Sequence, residues 1–130
     1  MPVRIEHIIN TTLNDTLGAI SATHDFQGVA PKRVTLYLQL VETQSANDAS
    51  VLLTVEFSPD DGQTLITYDK LLTHDGTDAP QPSEQYSTTE DDVVSISPED
   101  VMDYIRVTLT GTNVDASDFY AVDVWLVYAY

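Results

Sequence analysis

The chain of 130 residues predicts an all-β fold, an antiparallel β-sandwich of jelly-roll type. Three observations carry that prediction. Apolar residues recur at every second position in run after run, as they do in strands with one buried face. The runs are separated by clusters of Gly, Pro, Asn, Asp and Ser. Only one short stretch, Ser97-Pro98-Glu99-Asp100, carries helix-start chemistry. Roughly eight strands with polar connections fit two packed β layers, and the length fits one domain spanning 1–130.

Taken in order, residues 3–9 read as a strand, whereas 10–30 are rich in Thr, Asp and Ala without clear periodicity. Residues 1–30 are therefore a candidate irregular N-terminal arm, with 10–30 either an extended arm or irregular strands. The clearest strand follows, with Val34, Leu36, Leu38 and Leu40 alternating with Arg33, Thr35, Tyr37 and Gln39. Val51, Leu53, Val55 and Phe57 repeat the pattern after a polar Thr43–Ser50 segment, which suggests a hairpin or neighbouring strands. After the Asp60-Asp61-Gly62 turn, Thr64–Leu72 carries a third, less regular signal.

Residues 73–91 hold Gly76, Pro80 and Pro82 among many Ser, Thr and Asp, and read as a long loop, the first place to look for a contact. Val93–Ile96 is a short strand, followed by a single helical turn near 98–103. Ile105, Val107 and Leu109 then face one way, with Tyr104, Arg106, Thr108 and Thr110 facing the other. In the last strand, Phe119–Tyr130, both faces are largely apolar. Such a strand is central in a two-layer structure or lies in a subunit interface.

The formal charge of −16 repels polyphosphate and anionic lipid, so neither nucleic acid nor membrane is an expected partner. Surface carboxylates favour solubility; adaptation to high salt, or a partner with a basic face, are sharper readings of the same imbalance. There is no cysteine, which removes disulfides, thiolate metal sites and a cysteine nucleophile. Met1-Pro2-Val3-Arg4-Ile5-Glu6 lacks the pattern of a cleaved signal peptide, so a soluble protein is expected.

Catalytic chemistry is not indicated, and no enzyme activity is expected. Asp60-Asp61 and Asp91-Asp92 are adjacent carboxylates, but neighbours on a strand face opposite ways, and pairs are expected among 21 acids. Asp75-Gly76-Thr77-Asp78 and Asp115–Asp118 are rich in oxygen ligands for calcium, yet neither has EF-hand spacing, and solvated loops account for them. His7, His24 and His74 lack the spacing of a helical zinc site. No cofactor or metal is expected. The residues that stand out are Tyr37, Tyr104, Arg106, Trp125 and Val127, candidates for an interface, where Trp, Tyr and Arg concentrate.

Ser58-Pro59-Asp60-Asp61-Gly62-Gln63-Thr64-Leu65 resembles the Asp-box hairpin of sialidase-like repeats, with Leu65 in place of the usual aromatic and a single copy in the chain. The match supports a hairpin and implies no glycosidase. The whole pattern resembles the small decoration or cement proteins of tailed-virus heads: an acidic, cysteine-free sandwich, a Tyr104-Ile105-Arg106-Val107 strand after a short turn, and an apolar last strand. That resemblance implies a structural protein of the virion, made in the host cytoplasm and carried on the outer capsid. It also implies a homo-oligomer, a trimer by preference, that binds the major capsid protein. The alternatives are a carbohydrate-binding module, with Tyr37, Tyr104 or Trp125 stacking on sugars, and a tail or neck component.

Overall fold

The structure, a computed structural model, describes residues 2–44, 48–73 and 80–130. Among these residues ten strands form in chain order: β1 (Val3–Leu13), β2 (Ala19–Asp25), β3 (Arg33–Thr43), β4 (Ser50–Ser58), β5 (Ile66–Thr67), β6 (Leu72–Thr73), β7 (Glu84–Tyr86), β8 (Glu90–Ile96), β9 (Tyr104–Thr112) and β10 (Phe119–Ala129). A single 3-10 turn, Pro98–Asp100, stands where Ser97-Pro98 announces it. No helix among the described residues is long and apolar enough to cross a membrane.

The first sheet has the order β1-β10-β3-β8-β6 and the second β2-β9-β4-β5, with β7 also paired to β4; every pairing is antiparallel. The topology is a chain folded back on itself. β1 pairs with β10, β2 with β9, β3 with β8 and β4 with β7, and this long double ribbon is then wrapped into two layers by the β10–β3 and β9–β4 pairings. That nested order is the jelly roll.

The core lies between the layers. Val34, Leu36, Leu38 and Leu40 of β3 and Tyr120, Val122, Val124, Leu126 and Tyr128 of β10 supply one side. Val51, Leu53, Val55 and Phe57 of β4 and Ile105, Val107 and Leu109 of β9 supply the other. Each set is the apolar half of a period-two run, so one alternation in sequence becomes one wall of the core.

Three expectations change. β3 and β4 are not partners but lie in opposite sheets, because each finds its neighbours in the C-terminal half of the chain. Residues 1–30 are not an irregular arm, since they contain β1 and β2. Their pattern is obscured by a register shift in β1 and by weak inward residues in β2, where Ile20, Ala22 and His24 are only partly buried. The 73–91 loop contains β7 and the start of β8, too short a signal for periodicity to reveal. Its 74–79 portion, with the Asp75–Asp78 loop and His74, lies outside the described residues.

The Asp-box-like turn is built as its side chains dictate. Ser58 Oγ donates to Asp60 Oδ1 at 2.8 Å and accepts from the amide of Gly62 at 2.8 Å. The Thr64 amide and hydroxyl both donate to the Asp60 carboxylate, each at 2.6 Å. These donors hold Asp60 below the usual carboxylate range, the Thr64 hydroxyl contributing most. Gly62 has φ +89°, a conformation that favours glycine, and a Cβ there would lie 3.1 Å from Tyr104 Cζ, so the space is tight as well.

A buried polar contact links the two layers. The Tyr86 hydroxyl on β7 donates to Asp92 Oδ2 on β8 at 2.5 Å, and both residues are buried. Burial first, and then the Asp92 carboxylate, push the Tyr86 hydroxyl far above its ordinary pKa, so it stays a donor. Tyr86→Phe removes a charge-assisted hydrogen bond to a buried carboxylate, at a cost of about 2–3 kcal/mol. Urea unfolding of this variant checks the value; wild-type stability would show that the contact contributes nothing.

Candidate docking face

The outer face of the first sheet is apolar at one end, and a single backbone irregularity makes it so. In β1 the pairing with β10 runs Val3↔Ala129, Ile5↔Val127 and His7↔Trp125, then shifts by one residue between His7 and Ile9, so that Ile9 faces Val124. Ile8 is the extra residue of a β-bulge. A one-residue shift exchanges the two faces of a strand. Ile9 and Leu13 consequently enter the core, whereas Val3, Ile5 and His7 turn outward although all five positions are odd.

Cross-strand pairing then assembles three rows on the outer face: Val3, Ala129 and Arg33; Ile5, Val127 and Thr35; His7, Trp125 and Tyr37. The next row along the sheet, Asn10, Asp123, Gln39 and Asp91, is polar. Ile5 is 66 % exposed, Val3 48 % and Tyr37 37 %, while Val127 at their centre is only 6 % exposed. Val3, Ile5, Arg33, Tyr37, Trp125 and Val127 line an open groove of ≈ 410 Å³. At ordinary strand spacings the apolar rows cover roughly 300 Å², the size at which a surface patch on a monomer is often functional.

Polar contacts hold the rings in place. The His7 ring stacks on Trp125 with centroids 4.5 Å apart and planes 10° apart, and His7 Nε2 lies 2.8 Å from Asp123 Oδ1. Arg33 Nη2 donates to the Tyr37 hydroxyl at 3.2 Å. Rings with fixed rotamers lose little entropy on contact, which suits them to anchoring a partner. This arrangement binds by burial, with charges at its margin.

Of the residues singled out in the sequence, Tyr37, Trp125 and Val127 come together here. Tyr104 and Arg106 do not; they stand on the outer face of the second sheet. Arg106 there donates to Glu56 Oε1 through Nη2 at 2.6 Å and Nε at 3.0 Å, and Tyr104 packs over Gly62. Around them that face is polar, with Ser21 Oγ 2.8 Å from Thr108 Oγ1. Val3, Ile5, His7 and Arg33 are the members that sequence reasoning missed. Nothing in one sequence marks a bulge inside an otherwise regular alternation, although an apolar Val3-x-Ile5 run in a charged segment was visible.

At the opposite end of β10 the groups are acidic. Burial, together with the neighbouring Asp118 carboxylate, raises the Glu42 carboxyl above its ordinary pKa. Burial and the same two acids push the Tyr120 hydroxyl up to about 12. Asp115 serves its own turn, accepting from the amides of Ser117 at 2.7 Å and Asp118 at 2.8 Å. Among the described residues, no group of three or more His, Asp or Glu is placed to hold a metal ion. No family model matches the chain, and comparison with curated proteins finds no match.

Two outcomes test this description. Ile9→Ala is expected to cost ~2–5 kcal/mol, as for a buried aliphatic side chain, and Ile5→Ala no more than ~0.5 kcal/mol. Equal costs in urea titrations would remove the bulge and the outward face with it. For Glu42 the sign follows from its raised folded pKa. A raised carboxyl favours the fold while protonated, and that contribution is lost as pH rises through the folded pKa. Glu42→Gln is therefore expected to raise Tm at pH 7 and to match the wild type in acid; a lower Tm at pH 7 would contradict the assignment.

Proposed function

We propose that the protein is a non-enzymatic structural protein of the virion, a head decoration or cement protein that stabilises the capsid by docking on its subunits. The observation that carries this reading is the unpartnered apolar end of the first sheet, where Val3, Ile5, Tyr37, Trp125 and Val127 stand together at the surface. A closed jelly roll with a rigid apolar face and an acidic remainder is what a shell-binding module requires. The face supplies adhesion, and the carboxylates oppose indiscriminate clustering of unbound copies. A sugar-binding platform is less well supported, because His7 covers one face of Trp125.

Co-sedimentation with isolated capsid shells tests the reading. Ile5→Asp combined with Tyr37→Ala is expected to weaken shell binding by about thirtyfold or more, the loss typical of central anchor residues. Arg106→Ala, on the opposite sheet, is expected to leave binding unchanged. A wild-type protein that fails to sediment with shells, or a double variant that binds as well as wild type, would overturn the proposal.

A further inference from the structure

The free edge of the first sheet carries information of its own. Among the described residues β1 has β10 on one side and no paired strand on the other, and at eleven residues it is a long edge. The opposite edge, β6, is two residues long. A long open edge presents unpaired backbone N–H and C=O groups and acts as a template for another strand. The bulge at Ile8 interrupts that template, leaving Val3-Arg4-Ile5-Glu6-His7 as its regular portion.

We propose that two copies of the protein associate through this segment, β1 against β1 in antiparallel register about a two-fold axis at Ile5. The segment is complementary to an inverted copy of itself. In that register Arg4 faces Glu6 of the second copy, Glu6 faces its Arg4, Ile5 faces its Ile5, and Val3 faces its His7. Two opposite-charge pairs flank an apolar one, each of a kind that stabilises antiparallel sheets. Moving the axis to Arg4 or to Glu6 sets like charges against each other, and moving it between Ile5 and Glu6 sets Ile5 against Glu6 and Arg4 against His7. Ile5 is the only centre within the segment that satisfies both charge and apolarity.

The side chains are available for this pairing. Arg4 is exposed and has no ion pair among the described residues. Glu6 is engaged by its own chain, with Oε2 2.8 Å from His24 Nδ1 on β2 and Oε1 accepting from the Tyr128 hydroxyl on β10 at 3.4 Å. Its side chain remains 45 % exposed, and a carboxylate with about four lone-pair sites can accept further bonds. Ile5 is the most exposed large apolar side chain of the patch. Pairing at Ile5 would also join the two apolar faces into one continuous surface.

The geometry sets the strength. Five paired residues make a contact smaller than the roughly 800 Å² per partner of a stable interface, and two copies at −16 each repel at long range. The dimer is therefore weak and concentration-dependent. A two-fold contact uses both edges and closes on itself, so growth stops at two. This inference goes beyond the docking reading and does not depend on it, since it concerns the edge of the sheet and requires no shell.

Because the chain has no cysteine, single cysteines report the register directly. Ile5→Cys is expected to form an interchain disulfide under mild oxidation, since directly opposed residues stand about 5 Å apart. Val3→Cys is expected not to, its symmetry mate lying roughly 14 Å away. Light scattering from about 10 μM to 1 mM in about 0.15 M salt is expected to approach twice the 14.4 kDa protomer mass. Arg4→Glu is expected to remain monomeric, as is Glu6→Arg, and an equimolar mixture of the two to regain the dimer, with circular dichroism confirming that each is folded. Should Glu6→Arg fail to fold, Ile5→Cys and Arg4→Glu decide the matter. A wild type that stays monomeric at 1 mM, a mass of three protomers, an Arg4→Glu variant that associates like wild type, or cross-linking at Val3→Cys in preference to Ile5→Cys would each overturn the proposal. Shell co-sedimentation of the Arg4→Glu monomer keeps the two proposals apart, because loss of the dimer leaves the docking face intact.

Discussion

The pairing of β10 with both β1 and β3 along nearly its whole length is the constraint on which the structure depends. It joins the last strand to the first, which closes the fold across the full sequence. It also places Tyr120, Val122, Val124, Leu126 and Tyr128 as the central row of the first sheet's inner wall. A strand in that position must be apolar on its inner face and tolerant on its outer one. β10 is apolar on both faces at its C-terminal end, so the same strand that completes the core also begins the surface patch. The two roles are linked through register, because whatever fixes the inner row fixes the outer row of Trp125, Val127 and Ala129 with it.

The bulge at Ile8 decides what that outer row becomes. Without it, Val3 and Ile5 would share the inner face with Ile9, near the open end of the sandwich, and the outer face would present Arg4 and Glu6 beside Trp125 and Val127. With it, the apolar residues of β1 extend the apolar row of β10, and the charged ones move to the margin. The native core loses little, since Ile9 and Leu13 still fill the deeper positions. One inserted residue thus converts a strand end into a surface feature, as bulges do when they re-aim side chains near functional sites.

Much of the fold was legible in the sequence because it rests on alternation. β3, β4, β9 and β10 each carry three to five apolar residues at period two, and their inner faces are as the pattern specifies. The turn at 58–64 was legible because its side chains bond within the turn itself, so no distant contact is needed to specify it. What could not be read depends on distant partners. β3 and β4 look like a hairpin because they are adjacent in sequence, yet β3 pairs with β10 and β4 with β9, some fifty to ninety residues away. β5, β6 and β7 are two or three residues long and exist because a neighbouring edge offers hydrogen bonds. Of the site, Tyr37, Trp125 and Val127 were legible as outward residues on strong strands, whereas Val3 and Ile5 were hidden by the register shift, and the outward position of Tyr104 and Arg106 does not reveal that β9 belongs to the other sheet.

The exposed face and the exposed edge bear on each other. A bare edge next to an apolar face invites uncontrolled aggregation, and natural β proteins counter that hazard with charges and bulges on the edge. β1 has both, with Arg4 and Glu6 on the segment and the bulge beyond it. The charges have opposite signs and are two residues apart, so they repel a strand that meets them in the wrong register while matching an inverted copy of themselves. A device that merely blunted the edge would work as well with two like charges. The alternation of sign about Ile5 adds selectivity to protection, and it does so at the one edge whose pairing would enlarge the apolar face beside it.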